Sequence, residues 1–171
     1  MFDVANLENE NHLSPYRRSL LEALRPVLEK VDLEKLDTES KVEIRKEKDD
    51  WTLQVKIIPA DSYIPPLSLF ASRHRCSLVF AEAEQIECNI DPEGVWDEHL
   101  VGMILEAAEK YLNGTTILEH YNKNGKLIKK EYFFGITSEP HKDCRIGTSI
   151  YPFVFPRKVS SIKKRTFRFL R

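Results

Sequence analysis

The chain has 171 residues, 42% hydrophobic and 31% charged, with a formal net charge of −1. That length and mixture suit a single domain over residues 1–171 with a sizeable core, and exclude a disordered chain. No run of about 18 apolar residues occurs, so no helix is expected to cross a membrane and no membrane partner is expected.

The first residues, MFDVANLENENH, are acidic and polar where a secretory leader would be basic and then apolar, and residues 1–13 read as a loosely packed arm. Cys76, Cys88 and Cys144 are widely spaced and form no C-x-x-C, which suits reduced thiols in a cytoplasm. Ser14-Pro15 is a cap followed by a proline at the first helical position. Leu20, Leu21, Leu24, Val27, Leu28 and Val31 then recur at helical spacing, predicting an amphipathic helix from 15 to about 31. Pro26 lies inside that pattern and is expected to kink or break it near Leu24.

Val42 and Ile44, then Trp51, Leu53, Val55 and Ile57, alternate with polar residues around a turn at Lys48-Asp49-Asp50, predicting a hairpin with one wet face. Pro59, Pro65 and Pro66 mark a loop, and Leu67 to Phe70 reads as a short helical turn. Cys76, Leu78 and Phe80 alternate, as do Ile86, Cys88 and Ile90. They predict a second hairpin turning at Ala83-Glu84.

Asp91-Pro92 repeats the cap-plus-proline start. Trp96, Leu100, Met103, Ile104, Ala107 and Tyr111 follow on one helical face, and Asn113-Gly114 ends the helix. Asn124-Gly125 between two alternating runs predicts a third hairpin, pairing Tyr121 with Ile128, Glu119 with Lys130 and Ile117 with Tyr132. Residues 135–171 are irregular and basic. Gly135, Pro140, Gly147, Pro152 and Pro156 suit loops or edge strands, and Tyr151, Phe153 and Phe155 are expected to pack inward. Lys163 to Leu170 reads as a closing strand. The fold class expected is α+β: an antiparallel sheet built mainly from hairpins, with two principal helices packed on it.

Charge is segregated. From Cys76 to Glu109 there are nine acids and no Lys or Arg; from Cys144 to Arg171 there are eight bases and no acid. Asymmetry of this kind is an argument about partners. Glu82, Glu84, Glu87, Asp91, Glu93, Asp97 and Glu98 would steer a basic protein partner and reject acidic ones. Small acidic-faced proteins that neutralise a basic toxin use this logic, and a solvated face is the plain alternative. Lys163, Lys164, Arg165 and Arg168, with phenylalanines between them, would instead suit phosphate contacts and base stacking, as in a nucleic-acid-binding accessory protein. A terminal strand with its bases on the protein's own acids is the plain reading there.

An enzyme ranks third. No G-x-S-x-G or glycine-rich phosphate loop occurs, and Cys144 with His120 or His141 is a pairing that any chain of this composition permits. Neither a metal nor a cofactor is expected. His141, Asp143 and Cys144 lack a second ligand pair, and His74 lies between Arg73 and Arg75, which repel a cation.

Overall fold

The computed structural model describes residues 2–4, 7–80, 84–89, 98–136 and 145–170, with backbone alone at 84–89, 98, 100 and 145–149. It forms two compact units, 1–109 with 170–171, and 110–169. The class is α+β, with two α-helices and two antiparallel sheets among the described residues.

The first unit begins with α1, Pro15–Leu28. Ser14 caps it by accepting a hydrogen bond from the Arg17 amide, which satisfies one orphan donor of the first turn. Leu20, Leu21, Leu24 and Leu28 form its buried face. The expected break near Leu24 does not occur: the helix runs through Pro26 and stops two residues later, short of Val31. A proline so close to a C-terminus removes one hydrogen bond and has little helix left to distort.

Five strands follow as a meander, each paired antiparallel with the next: β1 (Lys41–Glu47), β2 (Asp50–Ile57), β3 (Leu67–Ala71), β4 (Arg75–Phe80) and β5 (Glu84–Asn89). Both hairpins read from the alternation are present. Lys48 and Asp49 form the β1–β2 connection, Lys48 at φ 55. Register stacks apolar residues across strands. Val42 pairs with Val55, Val55 with Leu69 and Leu69 with Leu78, while beside them Ile44, Leu53, Ala71 and Cys76 form a second row. All eight are buried. On the wet face of β1, Glu43 lies 2.8 Å from the Lys41 ammonium, and Arg45 pairs with Glu47.

Leu67–Ala71 is a strand, not the expected helical turn. Leu67, Leu69 and Ala71 are buried between less buried Ser68 and Phe70, so the period is two. Pro65-Pro66 favours extended backbone just upstream, which feeds a strand rather than a helix. The turn between β4 and β5, expected at Ala83-Glu84, falls on 81–83, outside the described residues.

Helix α2, Glu98–Asn113, spans the boundary between the units. Its expected start at Asp91-Pro92, with Trp96, lies outside the described residues. Ile104, Ala107, Ala108, Tyr111 and Leu112 are buried, whereas Met103, expected on that face, is exposed. One residue before Ile104 on a helix is about 100° around, enough to leave the stripe.

In the second unit the order is β8-β7-β6-β9, with β6 (Thr115–Asn122) and β7 (Leu127–Phe134) central and β8 (Arg145–Ile150) and β9 (Val159–Phe167) at the edges. Tyr111 stacks on Phe169 with ring centroids 5.0 Å apart, and Ile117 on β6 is fully buried. Ile117 pairs with Tyr132 and Glu119 with Lys130 as expected, but Tyr121 faces Leu127 rather than Ile128. The turn has three residues, Lys123-Asn124-Gly125, closed by the Asn122 amide on the Lys126 carbonyl at 2.9 Å. Asn122 Oδ1 accepts from the Asn124 and Lys126 amides, and a register shift at His120/Tyr121 absorbs the extra residue.

Gly125 has φ 72, and a Cβ built there meets nothing within 4 Å. The cost of Gly125→Val is therefore a backbone cost alone, expected at about 1–2 kcal/mol from the left-handed conformation of a β-branched residue. A denaturant midpoint equal to the parent's would show that the turn does not need positive φ.

Candidate functional site

Of the acidic block, Glu84 and Glu87 are placed on β5, opposite Phe80 and Ser77, and Glu98 opens α2. Strand β5 is an edge of the five-stranded sheet. Glu82, Asp91, Glu93 and Asp97 lie outside the described residues.

The basic residues sit on and just beyond β9, at one edge of the second sheet. Its alternation puts Lys163 and Arg165 on the face of Glu119 and Ile117, while Lys164 pairs with Leu118 on the other face. Arg168 follows the strand and is exposed. The bases on the first face meet an acid that the charge count had not singled out. Glu119 is 0% exposed and accepts hydrogen bonds from Arg165 Nε at 3.2 Å and from the Tyr121 hydroxyl at 3.0 Å. Lys130 Nζ is 3.8 Å from its other oxygen, and Lys163 Nζ sits 5.1 Å from the Tyr121 ring centroid. A carboxylate buried this deeply is costly without partners, and these contacts supply them. The cluster closes three strands together. Arg165 is thus partly committed to the fold, while Lys164 and Arg168 are exposed.

On the other face His120 Nε2 lies 2.7 Å from Glu131, which Lys129 also contacts at 2.7 Å. Burial by itself would raise the Glu131 carboxyl, but the Lys129 hydrogen bond and charge, joined by His120, hold it below its ordinary value. That pair occupies His120. His141, Asp143 and Cys144 lie outside the described residues, and Cys76 is buried in the first sheet. Among the described residues no three His, Cys, Asp or Glu side chains converge to hold a metal.

The feature least visible in the sequence is the connection from β8 to β9. Tyr151, Phe153 and Phe155 do not pack inward as expected. Phe153 is 93% exposed, Phe155 64%, and Ile150 just before them 65%. The segment nevertheless has defined contacts: the Tyr151 amide donates to the Ile128 carbonyl at 2.8 Å, and Arg157 donates to the Pro152 carbonyl at 2.8 Å with its guanidinium over the Phe155 ring. Pro152 and Pro156 were the available signal, since they punctuate an apolar run that lacks a strand's length.

Fold and charged edges together define an α+β protein with two antiparallel sheets among the described residues, acids on one edge strand and bases on another. No protein-family model, curated protein or solved structure matches the chain.

Proposed function

We propose that this chain acts by binding a basic protein, in the manner of an immunity or inhibitor protein, through Glu82, Glu84, Glu87, Asp91, Glu93, Asp97 and Glu98. The observation that carries this reading is the placement of Glu84 and Glu87 on an edge strand that leads in sequence to Glu98 at the start of α2. Acids on a sheet edge discourage pairing with another chain's strand and leave a field that accelerates encounter with a cationic surface. The absence of any Lys or Arg between Cys76 and Glu109 keeps that field unopposed along the segment.

A nucleic-acid-binding accessory role is the second reading, favoured by the exposure of Lys163, Lys164 and Arg168 on and beside β9. The contact of Arg165 with Glu119 weighs against it, because a guanidinium held by a buried carboxylate has less to offer a phosphate.

Charge reversal separates the two. With a basic partner captured from the native host, Glu82→Lys/Glu84→Lys/Glu87→Lys is expected to slow association by roughly tenfold or more at low salt and to flatten its salt dependence. Lys163→Glu/Lys164→Glu should then change little. Tight oligonucleotide binding, abolished by the second set and untouched by the first, would instead select the nucleic-acid reading.

A further inference from the structure

We propose that one end of the second sheet is a docking tip for an anionic lipid surface. Strand β8 ends at Ile150, opposite Lys129, and β9 begins at Val159, opposite Asn122. The connection between them therefore lies at the same end of the sheet as the β6–β7 turn. This end combines two kinds of side chain. Ile150, Phe153, Phe155 and Val159 are exposed and apolar. Lys123, Lys126, Arg157 and Lys158 are exposed and cationic. Neither 122–129 nor 150–160 contains an acid.

Exposed apolar side chains concentrated in one segment mark a binding surface. The company they keep selects its chemistry. Ile150 and Val159 have no π-face, so base stacking leaves them unused, whereas hydrocarbon takes them as readily as the two phenylalanines. Lysine is depleted at the centres of protein–protein interfaces, yet three lysines surround this tip. At a bilayer surface the same lysines keep their ammonium groups among the headgroups while their stems lie along apolar neighbours. Negative lipid headgroups attract each of them. Arg157, bonded to Pro152 and stacked on Phe155, holds the apolar loop in shape and puts a cation beside its rings. Attachment of this kind needs no crossing helix, and none of the described helices is long and apolar enough to cross a membrane.

The test is co-sedimentation of the full chain with phosphatidylcholine vesicles, with and without phosphatidylglycerol, at low and at physiological salt. Binding is expected only to the phosphatidylglycerol vesicles, weakening as salt rises. Phe153→Ser/Phe155→Ser should lower the partition coefficient by roughly tenfold or more, from the lost burial of two rings. Lys123→Glu/Lys126→Glu should lower it by roughly fivefold or more for each charge. Both pairs of positions are exposed, so the parent's circular dichroism melt is expected to be retained. Phe153→Trp should shift its emission to the blue on phosphatidylglycerol vesicles. No partition at low salt, or partition unchanged by the double serine variant, overturns the proposal. So does a dimer in solution that the serine variant dissolves, or a single-stranded oligonucleotide bound through the same lysines in place of vesicles.

Discussion

Ile104→Asp is expected to leave the first unit unfolded at ordinary temperature. Ile104 is fully buried on α2, with Ala107 and Ala108 buried on the following turn. An aspartate there loses the packing of a β-branched side chain, worth about 2–5 kcal/mol when truncated in a core. It must also either remain charged without a partner or take up a proton, which adds several kcal/mol more. Against a total stability of about 5–15 kcal/mol the sum exceeds what a domain of this size tolerates. Circular dichroism should show loss of helix and no cooperative melt. A melting temperature within a few degrees of the parent's would mean that α2 does not face a core at Ile104. Met103→Asp, one residue away and exposed, is the control and should cost little.

The second large effect is expected at Arg17, which joins the start of α1 to the start of β2. Its side chain is buried. Nη1 donates to both Asp50 oxygens at 2.9 Å and to the Trp51 carbonyl, while Nε donates to Ser14 at 3.0 Å. The Arg73 amide completes the Asp50 shell at 2.7 Å. Asp50→Ala removes the counter-charge from a guanidinium that cannot release its proton, and breaking a buried pair in this way costs about 3–5 kcal/mol. Because the Asp50 side chain is 28% exposed, about 2–3 kcal/mol is expected, read as a drop in denaturant midpoint. Replacing both partners, Arg17→Leu/Asp50→Leu, should cost less than the sum of the single changes, since no charge is then stranded.

The same pair sets an acid limit. Burial by itself would raise the Asp50 carboxyl, but the Arg17 hydrogen bond, the Arg73 amide and the Arg17 charge outweigh it and hold it below its ordinary 3.8. A folded-state value below the unfolded one means the stabilisation is complete above the ordinary carboxylate range and is lost as pH falls through and below it. Glu131, also lowered, acts in the same direction. Stability should therefore decline below about pH 4, and Asp50→Asn should flatten that decline. An unchanged acid limb in Asp50→Asn would show that this carboxylate does not gain from folding.

Much of the fold was legible because local patterns are short-range physics. Alternation in Val42–Ile44 and Trp51–Ile57, and in the two runs flanking Asn122–Gly125, corresponds to paired strands, since one sheet face must be apolar when it is buried. Where local signals were weak, reading failed. Leu67–Ala71 carries one residue of strong β preference, Phe70, and neighbours on both sides, β2 and β4, make it a strand. The turn at Gly125 was one residue longer than its dipeptide suggests, because Asn122 accepts two backbone hydrogen bonds that a two-residue turn would not allow.

What the sequence by itself determined is the two helices, the three hairpins, the α+β class and the separation of acids from bases, all of which follow from periodicity, turn residues and composition; β3 and β8 were not among them. Only the tertiary structure decided which strands lie at edges, that Glu119 is the buried partner of Arg165, and that Phe153 and Phe155 face outward. The physical reason is common to the three. Each depends on pairing or burial between residues far apart in the chain, as Glu119 and Arg165 are 46 positions apart, and no local pattern encodes whether an apolar side chain finds a neighbour.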